Sequence, residues 1–347
     1  MKPATHILGI DIAKDKFDVN LKILAQPESR PAAIFKNTPK GFAALLRWLG
    51  QQSACPAEQL HACLESTSRY GDGLARFLYD QGFQVSMVNP RRPRCYANSQ
   101  LTRTVNDTID ARLLADFCAS ERERLRLWEP LSPDHQQLRE LTRTRQALVE
   151  ARDGFANMLE TATGQARPFL QKQRRSLDRQ VEQLDKTLKR FVKTEASAAL
   201  RQQIELADTV SAVGLVTAAT VLAELPPIQK LSQADQAVAL FGLDPRNKTS
   251  GTSVNTPTHL SRMGSRRGRR ALYMPALCAL RFNPLVKELG LRLQRKGRSG
   301  KYIVVAAMRK LLRLIFGVVK QGQPFDPKWS NPNAPQAKAQ EPVAALA

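Results

Sequence analysis

Seven residues near the start of the chain, His6-Ile7-Leu8-Gly9-Ile10-Asp11-Ile12, constrain the fold more than any other stretch. Apart from its ends the run is apolar at odd and even positions alike, the pattern of a strand covered on both faces. One carboxylate, Asp11, interrupts it, and burying that group is expensive unless a cation pairs it or a metal ion binds it. The chain must therefore cover this strand on two sides and supply a partner for Asp11. Lys16 to Ile23 alternates with period two, as a half-exposed strand does, and Ala32 to Lys36 completes a three-strand meander. Lys40 to Gln52 carries Phe42, Leu45, Leu46 and Leu49 at helical spacing. Leu60 to Leu64 and Phe83 to Val88 read as strands, with Gly71 to Gln81 as a helix between them. Pro90 to Ser99 opens on a proline, which suits a first helical turn. Asp107 to Ser120 is a helix with Ile109, Leu113, Leu114 and Phe117 on one side. An antiparallel meander followed by βα alternation predicts a mixed α/β sheet over residues 1–130.

Residues 131–200 change character. Leu138, Leu141, Leu148, Phe155 and Leu159 keep near-heptad spacing between His135 and Ala162, and Leu177, Val181, Leu184, Leu188 and Phe191 step by four and three. Gly164 to Pro168 separates the two runs. An antiparallel helical hairpin or coiled coil is expected, closed within one chain or forming a dimer seam. Residues 201–322 read as mostly helical. A helix from Val213 to Leu225 is stopped by Pro226-Pro227, and another, capped by Ser232, runs to Leu240. Gly242 to Pro257 reads as a polar loop, followed by basic helices over Gly264–Leu280, Pro284–Leu293 and Tyr302–Val319. The tail, 323–347, is rich in Pro, Ala, Gln and Asn and is expected to be disordered.

Lysine and arginine number 53 against 31 acids, a formal charge of +22 over 347 residues. The excess is concentrated: Arg246 to Lys320 holds 18 basic residues and one acid, Glu288. Such density repels itself unless a polyanion neutralises it, and arginine, which dominates here, grips phosphate through paired hydrogen bonds. Nucleic acid is the expected partner. Arg246, Lys248, Arg262, Arg266, Arg267, Arg269 and Arg270 are the candidate contacts, with Arg91, Arg92 and Arg94 beside Tyr96 as a second basic patch. No apolar stretch reaches the ~18 residues of a membrane span. The N-terminus runs into a strand without a leader-like segment, and the cysteines form neither a C-x-x-C pair nor a disulfide framework. A cytoplasmic protein with reduced thiols is expected. No phosphate-cradling glycine loop supports use of ATP or NAD, and the dispersed histidines offer no metal-ligand spacing.

Carboxylates recur where elements end. Glu65 closes the apolar run Leu60–Leu64, and Asp107 and Asp110, three apart, share a face at the start of a helix. Four oxygen donors at the ends of adjacent elements suit hard divalent cations such as Mg²⁺. Two such ions can stabilise the attacking and leaving oxygens of a phosphodiester. Taken singly, Asp107 and Asp110 would also complement a helix dipole, and Glu65 would serve as an arginine partner. As a set they resemble the acids of the ribonuclease H-like fold, in particular the RuvC-type nucleases.

The motifs around these acids are Gly9-Ile10-Asp11-Ile12-Ala13-Lys14, Leu64-Glu65-Ser66-Thr67 and Asp107-Thr108-Ile109-Asp110-Ala111-Arg112-Leu113-Leu114-Ala115. They resemble the DEDD signature of the insertion sequence one-ten transposase family, which includes DNA invertases. Val213-Gly214-Leu215-Val216-Thr217-Ala218-Ala219, Leu240-Phe241-Gly242-Leu243-Asp244-Pro245, Ser250-Gly251 and Met263-Gly264-Ser265-Arg266-Arg267-Gly268-Arg269-Arg270-Ala271-Leu272 resemble that family's second characteristic domain. The likeness runs in order over residues 5–320.

That resemblance implies a RuvC-like domain, 1–130, holding Mg²⁺ through Asp11, Glu65, Asp107 and Asp110. It implies a helical linker, 131–200, and a transposase domain, 201–322, whose serine nucleophile maps onto Ser250. It further implies an element-encoded bridge RNA pairing with donor and target DNA, and a homo-oligomer, a dimer assembling to a tetramer, whose subunits share active sites. From the residues alone Ser250 is a loop serine, with Thr249, Ser253 and Ser261 as local competitors. Where the family has Pro-Gly-x-Gly, this chain has Ser211-Ala212-Val213-Gly214, so plain helix packing through small residues stands beside a phosphate-binding role for that turn. The Arg266–Arg270 run likewise replaces a mixture of Asn, Arg and Leu. Two other readings use the same residues: a Holliday-junction-type nuclease in which water attacks, and a non-catalytic RNA-binding protein.

Overall fold

The computed structural model describes residues 3–65, 69–100, 107–250 and 254–328; the side chains of residues 69, 107–109, 247–250 and 254–258 also lie outside the description. Two units are present, residues 1–130 and 131–347. In the first, strands β1 (His6–Ile12), β2 (Lys16–Ile23), β3 (Ala32–Lys36), β4 (Leu60–Glu65) and β5 (Gln84–Val88) form one sheet in the order β3-β2-β1-β4-β5. The meander β1-β2-β3 is antiparallel, and β1-β4-β5 is parallel. The mixed sheet expected from the sequence is thus present.

Strand β1 is central and covered on both faces. Leu8 and Ile10, with Ala62 and Leu64 of β4, pack on Phe42 and Leu45 of helix α1 (Pro39–Gln52) and Leu74 and Leu78 of α2 (Asp72–Asp80). Ile7 and Cys63 face the other way, against Leu114, Ala115, Phe117 and Cys118 of α4 (Asp107–Glu121), which follows α3 (Arg91–Ser99). This alternation explains the unbroken apolar run: each side of β1 has its own layer.

The second unit begins with α5 (Pro133–Thr161) and α6 (Ala166–Arg190), which pack on each other within the chain. Arg145 pairs with Asp185, and Arg152 with Asp178 at 3.9 Å, so one partner number falls as the other rises and the helices run antiparallel. Helices α7 (Ala198–Asp208), α8 (Leu215–Glu224) and α9 (Ala234–Leu240) follow, then strands β6 (Pro245–Ser250) and β7 (Val254–Leu260). Helices α10 (Arg266–Phe282), α11 (Pro284–Arg295) and α12 (Gly300–Gln321) close the unit. Leu311, Leu312 and Ile315 of α12 form the middle of its core, with Val221, Leu222, Phe241, Leu272 and Ala276.

Three local readings change. Where Gly242 to Pro257 reads as a loop, the described residues include two strands: β6 and β7 pair antiparallel, with an irregularity between Arg246 and Lys248. Helix α9 begins at Ala234 after Gln233 rather than on a Ser232 cap, and the Ser232 backbone N–H donates to Gln236 Oε1 at 2.9 Å. Helix α8 begins at Leu215, because the Val213 N–H closes a turn on the Val210 carbonyl (2.8 Å) and Gly214 is extended. Ala212 in that turn has φ +77°. The departure from the family's glycine therefore leaves a side chain in left-handed backbone, which normally costs about 1–2 kcal/mol.

Among the described residues no helix is long and apolar enough to cross a membrane. Of the tail, residues 329–347 lie outside the description, while Phe325 packs on the helical core and its N–H donates to Thr209 Oγ1 at 2.9 Å.

Candidate active site

The acids of the first unit are gathered by strand register. Ile10 of β1 pairs with Leu64 of β4. Asp11 and Glu65 are the next residue in each strand, at the carboxyl ends of two parallel neighbours. Since side chains alternate, both lie on the face that Ile7 and Cys63 occupy, the face α4 covers. Gly9 sets how closely α4 lies there. A Cβ on Gly9 would fall 2.0 Å from the Ala111 carbonyl oxygen and 2.4 Å from the Ala115 nitrogen. The start of α4, carrying Asp107 and Asp110, therefore comes down beside the end of β1.

Asp11, Glu65 and Asp110 are each part-buried. Burial, and next the charge of Asp11, raise the Glu65 carboxyl above its ordinary range; Arg94 pulls the other way, and Asp110 adds to the rise. Three carboxylates thus share one electrostatic environment. Among the described residues no group of three His, Cys, Asp or Glu side chains is closed tightly enough to hold a metal ion. The side chain of Asp107, the fourth acid, lies outside the description.

The basic candidates divide. Arg94 is exposed and acts on Glu65, and Arg91 is exposed. Arg92 instead reaches Glu121 Oε2 at 3.4 Å and lies 5.3 Å over the Phe117 ring, while Tyr96 packs edge-on against the same ring. Arg92 and Tyr96 thus hold α3 on α4. In the second unit Arg246, Arg262, Arg266 and Arg267 are exposed, and the Lys248 side chain lies outside the description. Arg270 ties α10 to α5 through Glu150 (2.7 Å) and Asp153 (3.3 Å). Arg269 donates from Nη1 to the carbonyls of Phe241 (2.8 Å) and Gly264 (3.0 Å).

Ser250 ends β6, its backbone paired with Val254; its side chain is outside the description, as are those of Thr249 and Ser253. Ser261 is no longer a competitor. It is buried, and its hydroxyl donates to Asp244 Oδ1. His259 stands opposite Arg246 in the hairpin.

Two family models match the chain in succession: a DEDD transposase model over residues 8–168, and the transposase IS116/IS110/IS902 family over residues 204–290. The chain belongs to this transposase family. Among its relatives, the pilin gene-inverting proteins of Moraxella bovis and Moraxella lacunata are each 28% identical over 320 residues, covering 92% of this chain and 97% of theirs. A 43.6 kDa insertion element IS110 protein of Streptomyces coelicolor is 26% identical over 110 residues, 32% of this chain and 27% of its own.

The transposase also uses residues that charge counting passes over. Glu224, at the end of α8, accepts from Arg143 Nε (2.8 Å) and from the Ser265 hydroxyl (2.9 Å), and Ser265 in turn caps α10 by accepting from the Gly268 N–H (3.0 Å). The glutamate side chain is only 6% exposed. It fixes where the basic first turn of α10 begins. Nothing in its sequence neighbourhood distinguishes it from a surface acid.

Proposed function

We propose that this transposase is a DNA recombinase of a mobile element, cutting and rejoining donor and target DNA through a serine–DNA intermediate. The first unit acts as a RuvC-like, ribonuclease H-like domain in which Asp11, Glu65, Asp107 and Asp110 hold Mg²⁺. The observation that carries this reading is the convergence of Asp11, Glu65 and Asp110 at the ends of β1 and β4 and the start of α4, with Glu65 raised first by burial and then by its acidic neighbours. Carboxylates arranged in mutual repulsion favour a cation between them. An all-oxygen donor set suits Mg²⁺, which keeps water and substrate phosphate among its ligands and so needs no closed protein cage. When bound, Mg²⁺ supplies Lewis-acid stabilisation of phosphodiester oxygens.

The chain's own residues do the rest. The Ser250 hydroxyl attacks phosphorus, losing its proton, and one DNA oxygen leaves as a free hydroxyl. A phosphoserine linkage forms as a phosphodiester bond breaks, so bond energy is retained for rejoining. Arg262, Arg266 and Arg267 bind backbone phosphate and offset charge developing at the transition state. Because the acids belong to the first unit and Ser250 to the second, a homo-oligomer can share them between subunits. The pilin gene-inverting relatives support rearrangement of DNA as the outcome. The concentrated charge of the second unit supports a bridge RNA as an additional partner. A cytoplasmic location completes the reading.

Asp11→Asn tests the acids. Cleavage of substrate DNA in Mg²⁺ is expected to fall at least about 10³-fold while DNA affinity stays within a few fold, as for loss of a transition-state contact. Undiminished cleavage would remove the metal site. Purification with nuclease omitted, followed by sequencing of bound RNA, tests the guide. One uniform RNA encoded beside the gene is expected; random cellular RNA alone counts against it.

A further inference from the structure

We infer that Arg269 is a positioning residue that locks the neck of the β6–β7 hairpin, and through it the place of Ser250, rather than a nucleic-acid contact. The inference rests on the reading of Ser250 as nucleophile.

The chain enters the hairpin through residues 240–244 and leaves through 261–265. These two legs are bonded along their length: Ser261 N–H to the Asp244 carbonyl (3.0 Å), Arg262 N–H to Gly242 (3.2 Å) and Ser265 N–H to Leu240 (2.8 Å). The Ser261 hydroxyl adds a bond to the Asp244 carboxylate. There is no slack between the legs. A Cβ on Gly264 would lie 2.2 Å from the Leu240 oxygen, and one on Gly242 would lie 2.8 Å from the Arg262 carbonyl carbon and from Arg269 Nη1. Gly242 and Arg262 both take left-handed backbone, φ +62° and +52°, a conformation that surrounding contacts must hold for a residue with a side chain. One leg is anchored in the core, where Phe241 and Leu243 are buried and the Phe241 ring fills the space a Cβ on Gly268 would need.

Arg269 spans this neck. Its Nη1 donates to Phe241 on the entering leg and to Gly264 on the leaving leg, so one guanidinium nitrogen couples both to α10. It is part-buried, whereas Arg262, Arg266 and Arg267 are exposed. A planar, permanently charged fork suits two carbonyls in a desolvated corner better than a flexible ammonium does. Its Nη1 donors are taken up by the two carbonyls, and the phosphate-binding work falls to its exposed neighbours.

Arg269→Gln, Arg269→Lys and Arg267→Gln in the full chain, beside Ser250→Ala, separate the roles. Single-turnover adduct formation at saturating DNA is expected to fall on the order of 10²-fold in both Arg269 variants, the scale of a small misplacement of a reacting group. Their DNA affinity and its salt dependence should remain those of the parent. Arg267→Gln should instead weaken DNA binding and lose about one charge from the salt slope. A phosphate-binding Arg269 would give the opposite pattern: weaker, less salt-dependent binding in Arg269→Gln, an unchanged saturating rate, and recovery in Arg269→Lys. That result overturns the inference. Amide hydrogen exchange over residues 245–250 and 254–260 reads positioning without chemistry. Faster exchange there in Arg269→Gln, at an unchanged melting temperature, supports the neck lock, and unchanged exchange overturns it. If adduct formation survives Ser250→Ala, the nucleophile reading fails by itself, and the exchange result still decides whether Arg269 orders the hairpin.

Discussion

Ser250→Ala is expected to eliminate the covalent DNA–protein adduct, with a loss of at least about 10³-fold in strand exchange and no loss of DNA binding. A serine hydroxyl has no substitute when the intermediate is a phosphoserine, so the effect should be close to complete. The measurement is a denaturing gel of labelled DNA after reaction in Mg²⁺, on which the adduct migrates with the protein. Ser261→Ala is the matched control. Ser261 is buried and donates to Asp244, so removing its hydroxyl loosens the hairpin neck and slows adduct formation without abolishing it. The hydrolytic alternative makes the opposite prediction: in a nuclease that uses water, Ser250→Ala still cuts, and no protein-linked DNA appears in the parent. A non-catalytic RNA-binding chain would show neither adduct nor cleavage.

The sequence was most legible where burial sets the residue pattern. Strands β1, β2 and β3 have the bounds their apolar patterns suggest: β1 is covered on both faces, β2 is buried continuously from Phe17 to Leu21 rather than half-exposed, and β3 alternates. The α5–α6 hairpin was legible from its heptads for the same reason, and the structure shows it closing within the chain. The β6–β7 hairpin left no such mark. Its strands read Pro-Arg-Asn-Lys-Thr-Ser and Val-Asn-Thr-Pro-Thr-His-Leu, with no sustained alternation, and they pair through backbone bonds as a two-stranded ribbon. Charge was legible in sum and not in use. Counting arginines located a basic segment, but Arg92, Arg269 and Arg270 are held by an aromatic ring, carbonyls and acids far away in sequence. Asp11 stood out because a carboxylate breaks an apolar strand. That Asp110 should join it depends on how α4 lies across β1, which only Gly9 hints at, since a glycine inside a strand marks close approach without naming what approaches.

Gly9→Ala is therefore expected to damage the acid site without touching an acid. The added methyl would sit 2.0 Å from the Ala111 carbonyl oxygen and 2.4 Å from the Ala115 nitrogen, both backbone atoms of α4. No flexible side chain is available to yield, so the helix itself must lift from β1 by more than an ångström to reach ordinary contact. Ile7 and Cys63 lose packing against Leu114 and Cys118 as it lifts. Overpacking of this kind costs about 1–3 kcal/mol of stability. The helix that moves carries Asp107 and Asp110, so the oxygen donors separate from Asp11 and Glu65, and Mg²⁺-dependent cleavage should fall by about 10² or more. Nucleic-acid affinity, dominated by the basic second unit, should hold. Thermal melting, cleavage rate and salt-dependent DNA binding measured on one preparation check all three. The contrast with Asp11→Asn is informative: that variant should lose cleavage without losing this stability, because it removes a carboxylate and leaves α4 in place. If Gly9→Ala cleaves at the parent rate, the acids do not depend on the approach of α4 to β1, and the proposed donor set around Asp110 is wrong.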